Sequence, residues 1–316
     1  MKRWIVGLVV VVAMAVAQSG FAAITFDDGG VHSISTSVTG PVVVSDGGQG
    51  PTSLNVLSGA IVLGENALGN AGTYGIWSGT GGIVNMSGGA VFGGNASGGN
   101  AHAFGIFCEN GGIANISGGI VSGGDAGGNA SGNAHTYGIG VFGGMVNMSG
   151  GVVLGGNALS SSFNAHAYGI LNNGGTVNIS GGTVSVGSYY ESANGNVYGI
   201  FNNGGTVNIS GGMMTYGGAS NNTHTYGIYN NGGVVNIYGR DFNYPDGPIS
   251  VVSGTLTGTL ANGDPITWTF YQNSGKVVLN SPHGGAVPEP SSLVMFAGLG
   301  AMGLIGASRR RKRQSA

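Results

Sequence analysis

Tyr168-Gly169-Ile170-Leu171-Asn172-Asn173-Gly174-Gly175-Thr176-Val177-Asn178-Ile179-Ser180-Gly181-Gly182-Thr183-Val184-Ser185-Val186 is one period of a repeat. On an extended chain Val177 and Ile179 fall on one side, Asn178 and Ser180 on the other, and Val184 and Val186 renew the alternation. A period of two is the strand signature. The Asn-Gly and Gly-Gly steps supply the positive φ angles of tight turns. No capped helical periodicity interrupts them. Each repeat therefore predicts about three short strands separated by turns.

Working outward, the aromatic-Gly-Ile triplet recurs with its glycine at Gly75, Gly105, Gly138, Gly169, Gly199 and Gly227, at spacings of 30, 33, 31, 30 and 28. A Val/Ala-Asn-Ile/Met pattern follows at Asn85, Asn115, Asn147, Asn178, Asn208 and Asn236, and Leu54-Asn55-Val56-Leu57-Ser58-Gly59 is a degenerate seventh copy upstream. A fixed period of this length means a stacked architecture. One such unit cannot bury its apolar side, whereas stacking sets equivalent strands side by side in parallel, about 4.8 Å apart. The expected fold is all-β: a parallel β-solenoid of six to seven repeats over residues 54–240, right-handed by the crossover rule. Tyr74, Phe104, Tyr137, Tyr168, Tyr198 and Tyr226 would form one ladder, and Ile76, Ile106, Ile139, Ile170, Ile200 and Ile228 another. The competing fold is an antiparallel meander, since Asn-Gly-Gly also suits hairpins.

The flanks read differently. Lys2 and Arg3 precede an uncharged apolar run over 4–16, then Ala15-Val16-Ala17 and Gly20-Phe21-Ala22 as cleavage sites. This predicts a helical signal peptide over 1–23 rather than an uncleaved anchor. Val31-His32-Ser33-Ile34 and Val42-Val43-Val44 predict an N-terminal β cap over 24–53. Leu256, Leu260, the Asn262-Gly263 turn, Ile266-Thr267-Trp268-Thr269-Phe270 and Val277-Val278-Leu279 predict a C-terminal β cap over 241–282, with Trp268 as an apolar plug and 283–287 as a linker.

The last segment, 288–316, has three parts in order. Val287-Pro288-Glu289-Pro290 opens it, residues 291–308 carry no charge, and Arg309, Arg310, Arg311, Lys312 and Arg313 close it. As a helix, 291–308 would be about 27 Å long, enough to cross most of a hydrocarbon core. The cations would hold that end in the cytoplasm. The order resembles the PEP-CTERM tail, the sorting signal of exosortase substrates in Gram-negative bacteria, and the repeats resemble autotransporter-like β-helices. The resemblance implies an exosortase-type partner that cuts near Pro288-Glu289-Pro290, transient anchoring in the inner membrane, and release to the envelope, outer surface or extracellular matrix. It also associates the chain with extracellular polysaccharide and biofilm. An ordinary single-pass tail anchor is the competing explanation.

Composition bounds the chemistry. Glycine supplies 69 of 316 residues, about three times ordinary usage, and charged residues only 6%, against roughly 25% on average. Between the two ends, residues 24–287 hold ten acidic side chains and only Arg240 and Lys276 as cations, a net of −8. Nucleic-acid binding needs a basic footprint and is disfavoured. Cys108 is the only cysteine, so no internal disulfide forms; it holds a slot read as a turn, where sister repeats carry Asn172 or Asn202.

His102, His135, His166 and His224 share one slot, two residues before the aromatic, but the slot is Asn196 and Gly72 elsewhere. Stacked about 5 Å apart they would be near enough to share a metal, yet no carboxylate or cysteine recurs beside them. The expectation is packing, with no metal and no cofactor. Sequons stand at Asn85, Asn95, Asn115, Asn129, Asn147, Asn178, Asn208 and Asn221; five of them are the repeat itself, whose outward Asn and Ser read as polar ladders, and glycan attachment is disfavoured. No calcium-binding aspartate recurs, since Gly123-Gly124-Asp125 stands alone, and Thr176 and Thr206 are too few for an ice-binding array. β-Helical polysaccharide-degrading enzymes need clustered carboxylates or a base over the sugar, and no such pair recurs. No catalytic residue is assigned. The expected function is a structural or adhesive surface protein; the alternatives are a carbohydrate-binding module using Tyr189, Tyr190 or Tyr229, and a polysaccharide-degrading enzyme.

Overall fold

Strands one repeat apart pair in parallel and in register. The computed structural model describes residues 22–281, except 69–71, 129–131, 161–163, 187–188, 191–194 and 217–223. Phe104 pairs with Tyr74 below and Tyr137 above, and Ile106 with Ile76 and Ile139. The same register continues through Tyr168, Tyr198 and Tyr226, and through Asn85, Asn115, Asn147, Asn178, Asn208 and Asn236. This is a parallel β-solenoid of about six turns, and the antiparallel meander is excluded.

One coil shows how the sequence makes the shape. Ala101–Glu109 runs as a strand, then come Ile113–Ile116, Ile120–Ser122 and a fourth strand, Ala126–Gly128. About three strands were expected; there are four. The fourth belongs to a separate five-stranded sheet with Ala67–Leu68, Ala96–Gly98, Ala158–Ser160 and Tyr189–Tyr190. Ala126–Gly128 is built of small residues in the stretch of variable length, so no apolar alternation announces it.

The first strand bends at its glycine. Ala101 and Ala103 are buried, then Gly105 and Ile106 are buried consecutively, so the inward phase changes there. A Cβ on Gly105 would lie 2.6 Å from the Gly138 carbonyl oxygen, 2.7 Å from that of Ser122 and 2.8 Å from Val121 Cγ1. Gly138, Gly169 and Gly199 meet the next glycine's carbonyl oxygen at 2.6–2.7 Å in the same way. This column admits only glycine. It divides the interior in two: a main core of isoleucine and valine, and a narrow core built mostly of alanine, including Ala96, Ala101, Ala103, Ala126 and Ala134. Each fully buried isoleucine of the Ile76 ladder contributes about 1.5–3 kcal/mol relative to exposure.

Cys108 corrects its expected place. It lies within the strand, fully buried, in register with Ser78 below and Val141 above. The column continues through Asn172, Asn202, Asn230 and Gln272. The asparagines resemble turn residues in sequence, yet the first of each pair is an interior strand position, where a short apolar residue or a bonded amide fits equally well. Asn172 Nδ2 donates to Asn202 Oδ1 at 2.8 Å, and Asn202 Nδ2 to Asn230 Oδ1 at 2.9 Å. Asn172 Oδ1 also accepts from the Gly175 N–H at 3.0 Å. These bonds satisfy the Asn172 and Asn202 amides, which burial would otherwise penalise, whereas Asn230 Nδ2 has no partner among the described residues.

At the lower end Ile24–Phe26, Val31–Ile34 and Ser37–Thr39 pair in parallel with Val42–Val44, Thr52–Val56 and Ile61–Leu63, which themselves lie under the first repeat. At the upper end Ser253–Leu260 and Pro265–Gln272 form an antiparallel hairpin whose second strand pairs with His224–Arg240. Trp268, Phe270 and Leu256 are buried there, as their alternation implied. The described unit closes at Ser281. The signal peptide, the linker and the 291–308 helix lie outside the described residues. Among the described residues no helix is long and apolar enough to cross a membrane.

Candidate functional site

Outside the glycine corner, three columns, mostly of rings, run along the solenoid. The first is Tyr74, Phe104, Tyr137, Tyr168, Tyr198 and Tyr226. Phe104 stacks on Tyr137 at 4.3 Å between centroids, Tyr137 on Tyr168 at 4.8 Å, and Tyr168 on Tyr198 at 5.2 Å. Three residues on, the second column runs Trp77, Phe107, Gly140, Leu171, Phe201, Tyr229 and Tyr271. Its rings pack against the first column edge to face, as in Tyr198–Phe201 at 5.0 Å and 74°. Offset and edge-to-face ring pairs are favoured by the ring quadrupole. Burial pushes the Tyr137, Tyr168 and Tyr198 hydroxyls well above the usual phenol range, so these tyrosines stay neutral.

Histidines form the third column. His102 stacks on His135 at 5.0 Å and 7°, and His135 lies 5.1 Å from His166. Burial lowers all three; His135 falls to about 3, helped by the like charges of its neighbours, and His166 to about 4. They are neutral rings near pH 7. Their nitrogen lone pairs lie in the ring planes, so the parallel His102 and His135 rings aim them side by side and not at a common point. Among the described residues no three His, Cys, Asp or Glu side chains come together as a metal-holding group.

The histidine column stops at His102, because the rung below carries Gly72 in that slot. A cleft of about 310 Å³ opens there, lined by Gly72, Tyr74, Trp77, Phe104, Phe107 and Glu109. Its walls are apolar rings, and Glu109 is the one charged residue lining it.

On another outer face the asparagines of the Val/Ala-Asn-Ile/Met pattern form a hydrogen-bonded ladder. Asn85, Asn115, Asn147, Asn178, Asn208 and Asn236 each donate Nδ2 to the Oδ1 of the asparagine below, at 2.8–3.1 Å. Ser117, Ser180 and Ser210 donate to backbone carbonyls of the coil beneath.

A cargo so built carries its address elsewhere: residues 286–312 match the family described as the PEP-CTERM protein-sorting motif. The chain carries a PEP-CTERM sorting tail. The matched range contains Val287, Pro288, Glu289 and Pro290, and the basic cluster from Arg309 to Lys312. No curated protein and no solved structure matches the chain. The PEP-CTERM motif indicates exosortase-dependent sorting of an exported protein, processed by an exosortase-type enzyme and addressed to the cell envelope or surface.

Other residues singled out in the sequence fall as follows on this PEP-CTERM chain. Tyr229 is held between Phe201 at 5.0 Å and Tyr271 at 4.9 Å, so neighbouring rings occupy its faces. The side chains of Tyr189 and Tyr190, the sequons at Asn129 and Asn221, and the sorting residues Val287 to Pro290 and Arg309 to Arg313 lie outside the described residues. The cleft at Gly72 escaped the sequence. Its signal was present, since Gly72 is the glycine in a column of histidines, but only the register shows that a missing ring leaves a space there.

Proposed function

We propose that this exported protein is a structural or adhesive component of the cell surface or extracellular matrix, with no catalytic activity. The observation that carries it is the PEP-CTERM motif at 286–312, following in sequence a solenoid whose stacked asparagines bond one another in ladders. A long stack of parallel rungs is a rigid spacer, and its amides bond to one another rather than converging on a reacting atom. The acidic side chains of the repeats, Glu65, Glu109 and Asp125 among them, are scattered, whereas glycan cleavage needs paired carboxylates. Deleting the gene should reduce biofilm mass, aggregation or surface attachment, with restoration by the full chain and not by one truncated before Val287. Unchanged attachment in the deletion strain would overturn the proposal.

A second function, carbohydrate binding, is favoured by the ring-walled cleft at Gly72. Concave apolar sites with few polar groups are where small ligands bind. A glycan array probed with the purified protein separates the two: a passive spacer gives no selective signal.

A further inference from the structure

We infer that the cleft over Gly72 binds a cationic amino sugar within an extracellular glycan. The inference deepens the carbohydrate-binding function just given, and rests on it. Two rungs build the walls. Tyr74 and Trp77 meet at 6.0 Å and 61°, and Phe104 and Phe107, one rung above, at 4.9 Å and 53°. Each pair forms a V, and the two lie one above the other in register. The space is open because Gly72 lacks the ring that His102 carries directly above it.

Charge and ring chemistry together select the ligand. A pyranose presents a flat face of C–H bonds that packs on aromatic rings. The same ring faces attract a cation, by about 0.5–2 kcal/mol depending on desolvation. Glu109 lines the cleft, and its Oε1 accepts from Asn110 Nδ2 at 2.9 Å, leaving the second carboxylate oxygen for a ligand. Neither Arg240 nor Lys276, the two cations between the chain's ends, lines it. With a net of −8 over 24–287, uronate and sulfated sugars are repelled. A protonated amine on a pyranose satisfies walls and rim at once. The volume, about 310 Å³, is at the small end of ligand sites, which suits one or two sugar units.

Calorimetry on the full chain in mild detergent tests this with three probes: fully deacetylated glucosamine oligosaccharides, their N-acetylated counterparts, and uronic-acid oligosaccharides. The deacetylated probe should bind at least about tenfold tighter than the acetylated one, and the uronates should give no heat. Gly72→His should abolish binding without loss of fold. A Cβ there meets nothing nearer than 3.9 Å, and the variant restores the residue that three higher rungs carry. Glu109→Gln, a fold-neutral change at the rim, should erase the preference for the free amine. Equal binding of acetylated and free amino sugars, no binding of either, or wild-type binding by folded Gly72→His would each overturn the inference. Attachment phenotypes do not enter this measurement, so selective binding without an attachment defect would leave the site standing while the adhesive role fell. Binding only of a glycan that Gly72→His does not block would do the reverse, sinking the site and keeping carbohydrate binding.

Discussion

His135 and His166 stand 5.1 Å apart between ring centroids, and the buried Nδ1 of each has no hydrogen-bond partner among the described residues. Their histidine and tyrosine neighbours above, below and alongside offer no anion: His102, Tyr137, Tyr168 and Tyr198.

The pair makes the solenoid acid-labile. Their folded values of about 3 and about 4 lie below the ordinary 6.5, so the unfolded chain binds more protons as pH falls. Stability is therefore fully present above about pH 6.5 and declines as pH drops toward 4, by about 1.4 kcal/mol for each unit of depression. The unfolding free energy from urea titrations between pH 7 and pH 4 should fall by several kcal/mol. The double variant His135→Phe/His166→Phe should keep the stacking and flatten most of that slope, and an unaltered slope would contradict the assignment.

The two asparagine ladders should differ in what they contribute. Asn147 bonds Asn115 below and Asn178 above at 2.9 and 2.8 Å on the outer face, where water can replace a lost partner. Asn147→Ala should cost about 1 kcal/mol. Asn202→Ala leaves the buried Asn230 Oδ1 without its donor, while Asn172 keeps its bonds to the Gly175 and Gly204 carbonyls, and should cost about 2–3 kcal/mol. Equal losses in denaturant titrations would mean that the inner amides are hydrated.

Glycine tolerance should follow position. Gly105→Ala places a methyl 2.6 Å from a carbonyl oxygen of the next rung and should destabilise by at least about 3 kcal/mol. Gly127→Ala meets nothing nearer than 4.0 Å and should lie within about 0.5 kcal/mol of wild type. Comparing their melting temperatures checks this.

Burial pushes the Cys108 thiol up to about 12. Thiolate, the reactive form, is then absent at neutral pH. The native protein should be inert to a thiol-exchange reagent and react stoichiometrically once unfolded; rapid native labelling would contradict the strand placement.

Much of the fold was legible because its markers recur on every rung. The aromatic-Gly-Ile triplet carries both outer and inner ladders and the corner between them, and the Asn85-type position marks the second strand. Less legible were features lacking a bulky residue. Ala96, Ala126 and Ala158 build the fourth strand and the alanine core without an apolar alternation. Asn172 and Asn202 look like turn residues, yet are buried in strands because each bonds its counterpart in the next coil. Val31–Ile34 and Val42–Val44 lack the triplet and still pair in register beneath the first repeats. The cleft is made by an absent side chain at Gly72, which only stacking exposes.

The central claim joins this solenoid to its sorting tail, and intact-mass analysis of the protein recovered from the cell surface tests it most directly. In an exosortase-positive host the mature chain should end near Pro290 and lack Arg309 to Arg313, whereas an exosortase-deficient host should retain them. A surface protein that keeps its basic cluster in the exosortase-positive host would contradict the account.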